Sequence, residues 1–302
     1  MDGVINILKP SGMTSHDVVS FIRKCTHIKK VGHTGTLDPG AAGVLPICIG
    51  KATKVADMLS GQDKQYRAEL KLGITTDTQD SFGQIISEQK VIISREIIEE
   101  SVYSFKGTIE QVPPMYSAIK VKGQKLYELA RKGVEVKREP RQIKIYDIKV
   151  LNIDFDNNTV LLDVQCSKGT YIRTLCFDIG EKIGCGAHMS FLLRTRSGNF
   201  TLDQAITIEE LERCAKENKL NNLLTPVDKL FCDFPFITVN SNVEKKIVNG
   251  NQVSVDLIEN KSGLRKGTIC RIYNGRGVFL CLSQVVQKLD NGLYLKLLKS
   301  FF

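Results

Sequence analysis

Two periodicities run through the chain, and each predicts its own elements. The clearest two-residue alternation is Tyr66-Arg67-Ala68-Glu69-Leu70-Lys71-Leu72. Tyr66, Ala68, Leu70 and Leu72 fall on one face and the charged residues on the other, which predicts a half-buried strand. Tyr66 stands at its inward start, either as a core aromatic or as the wall of a pocket. Gly3 to Leu8 is a short apolar strand, and residues 142–151 and 159–166 form two more across a turn-rich 154–158. Helical spacing appears after Thr14-Ser15-His16-Asp17, an S/T-x-x-D/E start whose helix carries Val18, Val19, Phe21 and Ile22 on one face. Residues 94–105 form a second amphipathic helix, and 123–133 a short basic one ended by glycine. Thr207-Ile208-Glu209-Glu210 opens a last helix. Residues 75–83 are expected to be polar loop and 113–120 extended.

Beyond Pro226 and Pro235 the pattern changes. Short strands alternate with Asn249-Gly250, Asn274-Gly275 and Asn291-Gly292, which predicts a small β-barrel. With 302 residues the chain is long enough for two domains, divided here as 1–231 and 232–302. There is no internal repeat or low-complexity tract.

One stretch obeys neither periodicity. Val31 to Pro46 holds four glycines and two prolines in sixteen residues, so a regular helix or strand is not expected there. Its one carboxylate, Asp38, precedes Pro39, and a residue before proline is pushed to extended geometry. An ordinary turn and a rigid acidic site both fit this pattern. Phosphate-loop readings fail: Gly50-Lys51 is followed by Ala52, Leu45 stands where the first glycine belongs, and no G-x-G-x-x-G is present.

Composition narrows the classes. The N-terminal residues lack the apolar core of a signal peptide, and no stretch approaches the roughly 18–20 apolar residues of a membrane span. Nine scattered cysteines without C-x-x-C are expected to be small buried hydrophobes in a reducing cytosol, so the location expected is cytoplasmic. The net charge of +9 suits a polyanionic partner. Residues 232–302 carry ten Lys/Arg against five Asp/Glu, net +5, leaving 32 against 28 for the rest. Lys24, Lys29 and Lys30 are solvated charges or phosphate contacts. Arg173 lies in a run leading into Leu175, Cys176 and Phe177, and if buried it needs a carboxylate partner. If that run begins as a strand, Tyr171 and Arg173 share a face.

The loop GHTGTLDPGAAGVLP followed by GKATK closely resembles the active-site motif of the TruB family of tRNA pseudouridine synthases. The resemblance continues through INILKPSGMTSHD, KQYRAELKLGITTDTQDSFG, VPPMYSAIKVKGQKLYELARKG, SKGTYIRTL and CGAHMSFLLRTRSGNF, in family order over residues 3 to 200. It implies an α+β fold, with a mixed, largely antiparallel-sheet catalytic domain carrying an insert at about 107–140. The tail resembles a PUA-like RNA-binding domain. The implied activity is isomerisation of uridine 55 in the tRNA T loop to pseudouridine, with no cofactor or metal. The implied partner is tRNA through its T stem-loop, bound by a monomer without membrane attachment. Residue by residue, Asp38 matches the catalytic aspartate, Tyr66 the tyrosine stacked on the target base, and Arg173 the arginine paired with the aspartate. His33, Tyr171 and Leu192 match residues holding the flipped nucleotide and its neighbours. Leu193 departs from the pattern, standing where the family more often has Arg.

Such a reaction suits these residues. An N-glycosidic bond must break and the base rejoin through carbon, which a carboxylate assists by attacking the sugar or the ring. A base leaving its stack needs an aromatic platform. A non-catalytic RNA-binding or RNA-folding protein has no use for a buried acid–arginine pair, although a role in tRNA folding is compatible with catalysis. An RNA-guided synthase of the dyskerin type fits less well, because the insert and compact tail resemble the stand-alone bacterial enzymes.

Overall fold

A computed structural model describes residues 1–121, 123–258, 263–289 and 292–302. In chain order its first part comprises β1 (Gly3–Lys9), α1 (Ser15–Thr26), β2 (Val31–His33), β3 (Ala42–Ile49), α2 (Ala56–Ser60), β4 (Lys64–Leu72), β5 (Ile74–Thr76), β6 (Ile85–Glu88), α3 (Arg95–Tyr103) and β7 (Gly107–Gln111). Then come β8 (Lys120–Val121), β9 (Gln124–Lys125), α4 (Leu126–Ala130), β10 (Arg141–Asp154), β11 (Thr159–Cys166), α5 (Ile172–Ile183), β12 (Ala187–Ser197), β13 (Phe200–Thr201) and α6 (Ile208–Lys216). One sheet runs β1-β3-β12-β4-β11-β10-β7, with β2 added to β3 and β13 to β12. Every pairing is antiparallel except β12 with β3. The fold is α+β with a mixed, largely antiparallel sheet.

Strand alternation decides what covers each face. In β1 and β3, Ile5, Ile7, Leu45, Ile47 and Ile49 join the main core with Val18, Val19 and Ile22 of α1. Val4, Val44 and Cys48 point the other way, into a second cluster with Leu230, Phe231 and Leu282. In β4, Tyr66, Ala68, Leu70 and Leu72 are buried, as the alternation predicts. The start of α1 is a capping box: Asp17 N–H donates to Thr14 Oγ1 at 3.1 Å, and Thr14 N–H to Asp17 Oδ2 at 2.8 Å.

Several expectations need correction. The glycine-rich stretch is irregular only over 34–41, because both ends are strands. The two ends pair with each other, Val31–His33 against residues 47–49, and β1 pairs along β3, with Pro46 accommodated opposite Asn6. Thr75 and Thr76 lie in a small hairpin, β5 with β6, and are buried. The helix expected over 123–133 shrinks to α4, since Gln124 and Lys125 pair with Lys120 and Val121. Arg173 sits in the first turn of α5, not in a strand, so alternation does not govern it. The helix opened by Thr207 is not the last.

The C-terminal part holds β14 (Phe236–Val239), α7 (Ser241–Val248), β15 (Val253–Ser254), β16 (Ile269–Asn274), β17 (Phe279–Gln287) and β18 (Leu293–Ser300). Its sheet runs β14-β16-β17-β18-β15, a curled half-barrel with its own core of Ile237, Val243, Ile247, Ile272 and Val285. Asn249 caps α7 instead of turning a hairpin, whereas Asn274 does turn β16 into β17. The Asn291-Gly292 turn falls on Asn291, which lies outside the described residues. Two lysines clasp the chain's end: Lys51 Nζ donates to Phe301 O at 2.8 Å and Lys54 Nζ to Ser300 O at 2.7 Å. Among the described residues no helix is long and apolar enough to cross a membrane.

Candidate active site

Asp38 lies in the loop between β2 and β3, and Arg173 is presented to it from the start of α5. Arg173 Nε meets Asp38 Oδ2 at 3.0 Å, and Nη2 lies 3.5 Å from Oδ1, a side-on pairing of two planar groups. The Arg173 side chain is 6% exposed and that of Asp38 39%, so the pair is buried on the arginine side and open on the carboxylate side. The remaining guanidinium donors are used: Nη1 donates to Thr78 O at 3.1 Å and Nη2 to Tyr116 O at 2.8 Å. Arg173 thus ties three loops together. The walls around Asp38 raise its pKa by desolvation, Arg173 opposes that shift, and Asp80 reinforces it.

Asp80 is the residue sequence reasoning passed over. It stands within the stretch expected to be polar loop, yet it is buried, with Oδ2 3.5 Å from Arg173 Nη1. Thr78 Oγ1 donates to its Oδ1 at 2.6 Å, and the Phe82 N–H to the same oxygen at 3.0 Å. The available signal was the run Thr78-Gln79-Asp80, polar residues dense enough to satisfy one another inside a protein. Gln79 adopts φ 63° and its Oε1 accepts from Thr174 Oγ1 at 2.8 Å, which fixes this loop to α5.

Two buried cations under the Asp38 loop were also not foreseen. Arg194, 1% exposed, donates to Val44 O at 2.7 Å and Gly35 O at 3.2 Å. Lys9 Nζ reaches Pro10 O at 2.8 Å, Met13 O at 2.5 Å and Pro39 O at 3.3 Å, and burial lowers its pKa to about 8. Gly43 makes this packing possible. Its φ is +116°, and a Cβ there would lie 2.3 Å from Arg194 O.

The other candidate residues are distributed as follows. Tyr66, 9% exposed, lies opposite Arg194 in the β4–β12 register. Desolvation raises its pKa, while the Arg194 guanidinium opposes the shift and the Asp38 charge adds to it. Tyr171 is the N-cap residue of α5, half-buried, and held by a two-point clamp. Gln111 Oε1 accepts from its N–H at 2.8 Å and Gln111 Nε2 donates to its carbonyl at 3.0 Å. Burial raises the Tyr171 pKa, and the neighbouring Arg141 and Arg173 charges oppose that. His33 ends β2, and its Nδ1 accepts from Gly35 N–H at 3.3 Å, which leaves the proton to Nε2. Burial, then Arg194, lowers the His33 pKa, favouring the neutral ring. Leu192 is buried in the main core opposite Ala68, and Leu193 beside it is half-buried. All nine cysteines are free thiols, and no metal-binding cluster occurs among the described residues. A cavity of about 440 Å³ lined by Asn6, Asn222 and Lys229 contains none of these residues.

Comparison with known proteins decides the family. Residues 23–172 match the model of the TruB family pseudouridylate synthase N-terminal domain, and 173–231 that of the tRNA pseudouridylate synthase B C-terminal domain. The chain is 47% identical over 289 residues to the tRNA pseudouridine synthase B of Clostridium perfringens, covering 95% of this chain and 96% of that one. The chain belongs to the TruB family. The corresponding protein of Alkaliphilus oremlandii is 56% identical over 253 residues, covering 84% of this chain and 83% of that one. Among solved structures, that of a Cbf5-Nop10-Gar1 complex superposes with a TM-score of 0.76 at 30% identity, over 99% of this chain and 85% of that one. This TruB-family chain is therefore a pseudouridine synthase that modifies tRNA.

Proposed function

We propose that the enzyme isomerises uridine 55 in the T loop of tRNA, with Asp38 as the nucleophile toward a flipped-out uridine. The N1–C1′ bond breaks, the base turns, and a C5–C1′ bond forms. The proton lost from C5 is balanced by one gained at N1, so the reaction needs no outside reagent. Asp38 attacks either C1′ of the sugar or the pyrimidine ring, and both routes call for an ionised carboxylate. Arg173 keeps it ionised and aimed. The 3.0 Å contact between Arg173 Nε and Asp38 Oδ2, with the carboxylate alone left open, is the observation that carries this reading.

Tyr66 serves as the platform under the target base, with its hydroxyl available to move a proton. His33, neutral and beside the acidic loop, holds the vacated place in the RNA loop, while Tyr171 and Leu192 bound the pocket. The division into 1–231 and 232–302 assigns chemistry to the first part and RNA docking to the second, which carries net +5. In this reading a monomer acts in the cytoplasm on the T stem-loop, and the insert at 107–140 borders the RNA.

An RNA-guided enzyme is the second reading, prompted by the Cbf5 superposition. The 47–56% identity to proteins named tRNA pseudouridine synthase B, against 30% to Cbf5, favours the stand-alone reading. The test is incubation of the purified chain alone with an unmodified tRNA transcript, followed by position-resolved pseudouridine mapping. Product at position 55 is expected, with Asp38→Asn slower by about 10⁴-fold or more while still binding RNA. A different position, a need for guide RNA, or an active Asn variant overturns the proposal.

A further inference from the structure

The loop that follows Asp80 ends in an aromatic ring that the chemistry above leaves unused. Phe82 is 78% exposed, yet its ring lies directly on Gly40, two residues from Asp38. A Cβ on Gly40 would meet Phe82 Cε2 at 2.1 Å and Cζ at 2.6 Å. Gly40 is also held by the turn after β1, where Ser11 Oγ donates to its carbonyl at 2.9 Å.

The position of the ring is fixed from behind. The Phe82 N–H donates to Asp80 Oδ1 at 3.0 Å, while Asp80 Oδ2 faces Arg173 Nη1 at 3.5 Å. The preceding Ser81 N–H donates to Met189 O at 3.2 Å. One carboxylate therefore registers both the arginine that pairs with Asp38 and the backbone that carries the ring. A pinned aromatic at the rim of a site, mostly in water, has a free π-face to offer. RNA loops are bound by stacking splayed, unpaired bases on such faces.

We propose that Phe82 is a stacking platform for one unpaired base of the substrate RNA, a neighbour of the uridine presented to Asp38. This rests on the reading of Asp38 as the site of chemistry. Ile85 and Ile86 on β6 are also exposed, so an apolar protein partner would use them with Phe82, whereas a nucleobase needs the ring alone. Leucine separates the two, since it keeps apolar bulk and loses the π-face.

The experiment uses the full chain and a T stem-loop RNA, alongside copies of that RNA with an abasic ribose at each unpaired position. Phe82→Leu and Phe82→Ala are expected to weaken binding by about 5- to 100-fold, and Phe82→Tyr by no more than about twofold. The rate at saturating RNA should hold, so the loss appears in KM. One abasic RNA should cost the wild-type chain the same factor and cost the Leu variant nothing further. Wild-type affinity in Phe82→Leu overturns the proposal, as do fully additive losses at every abasic position. So does a fall in thermal stability of the Leu variant without a change in affinity, which would make the ring a prop for Gly40. Binding and turnover are read separately. A chain that binds RNA and makes no pseudouridine overturns the role of Asp38, while the abasic cycle still decides Phe82.

Discussion

Around Asp38 the loops are pinned by buried cations on backbone carbonyls: Arg173 on Thr78 and Tyr116, Arg194 on Val44 and Gly35, Lys9 on Pro10, Met13 and Pro39. The C-terminal sheet is attached mainly by apolar packing, although Arg271 of β16 also donates to the carbonyls of Asp228, Cys232 and Phe234. Leu282, Phe279 and Phe301 enter one apolar cluster with Val4, Val44 and Phe231, while Lys51 and Lys54 clasp the chain's end and Lys299 pairs with Asp57 at 3.0 Å. Under the proposed function, the difference follows from the task each region is assigned. A carboxylate used in chemistry has to stay charged near low-dielectric walls, so its supports are polar and directional. A docking module needs only a fixed attitude, which non-directional apolar burial supplies.

Removing the central cation should break the first region most severely. Arg173→Met leaves Asp38 and Asp80 facing each other unpaired, along with the carbonyls of Thr78 and Tyr116. A stability loss of about 3–5 kcal/mol is expected from a broken buried pair, with a rate loss of about 10³-fold in molecules still folded. Urea unfolding and single-turnover kinetics measure the two separately. A variant within tenfold of wild-type rate would mean that Arg173 is scaffolding alone.

The apolar joint is tested by Leu282→Ala. Its side chain is fully buried where the two regions meet, so a loss of about 2–5 kcal/mol is expected. Because the cluster reaches β1 and β3, calorimetry should show a single transition moved down as a whole. Two separate transitions, with the upper one unmoved, would show that the sheets are energetically independent.

The smallest effect is pH-dependent. The Lys9 pKa is lowered to about 8 from 10.5, mainly by desolvation. Below pH 8 the folded state must keep a charged ammonium in the core, and the cost is fully present. Between pH 8 and 10.5 the folded state sheds a proton that the unfolded chain retains, so stability rises with pH. Measured against Lys9→Met, the wild-type chain should gain on the order of 3 kcal/mol across that window. A difference independent of pH would mean that the carbonyls of Pro10, Met13 and Pro39 hold the ammonium as well as water does.

How much of this was legible beforehand depends on the range of the interaction. The strand at 66–72, the capped start of α1 and the need of Arg173 for a carboxylate all follow from neighbours in sequence, where period and capping chemistry act. The motif around Asp38 was legible as a resemblance, and the family comparison agrees with it. Asp80, Arg194 and Lys9 were not legible. An isolated aspartate in a polar run or a lysine before a proline reads as solvated until another segment covers it. Only the tertiary fold brings residues 9, 38, 80, 173 and 194 together. The same holds for the strands that end the glycine-rich loop: β3 takes its ladder bonds from β1, far away in the chain, and β2 takes its own from β3. The helix at Ile172 depends likewise on Gln111 clamping its N-cap from β7. Local pattern determined which residues prefer inside and outside. Which buried charge meets which partner was decided by the crossing of chain segments, because desolvation and pairing exist only once those segments have met.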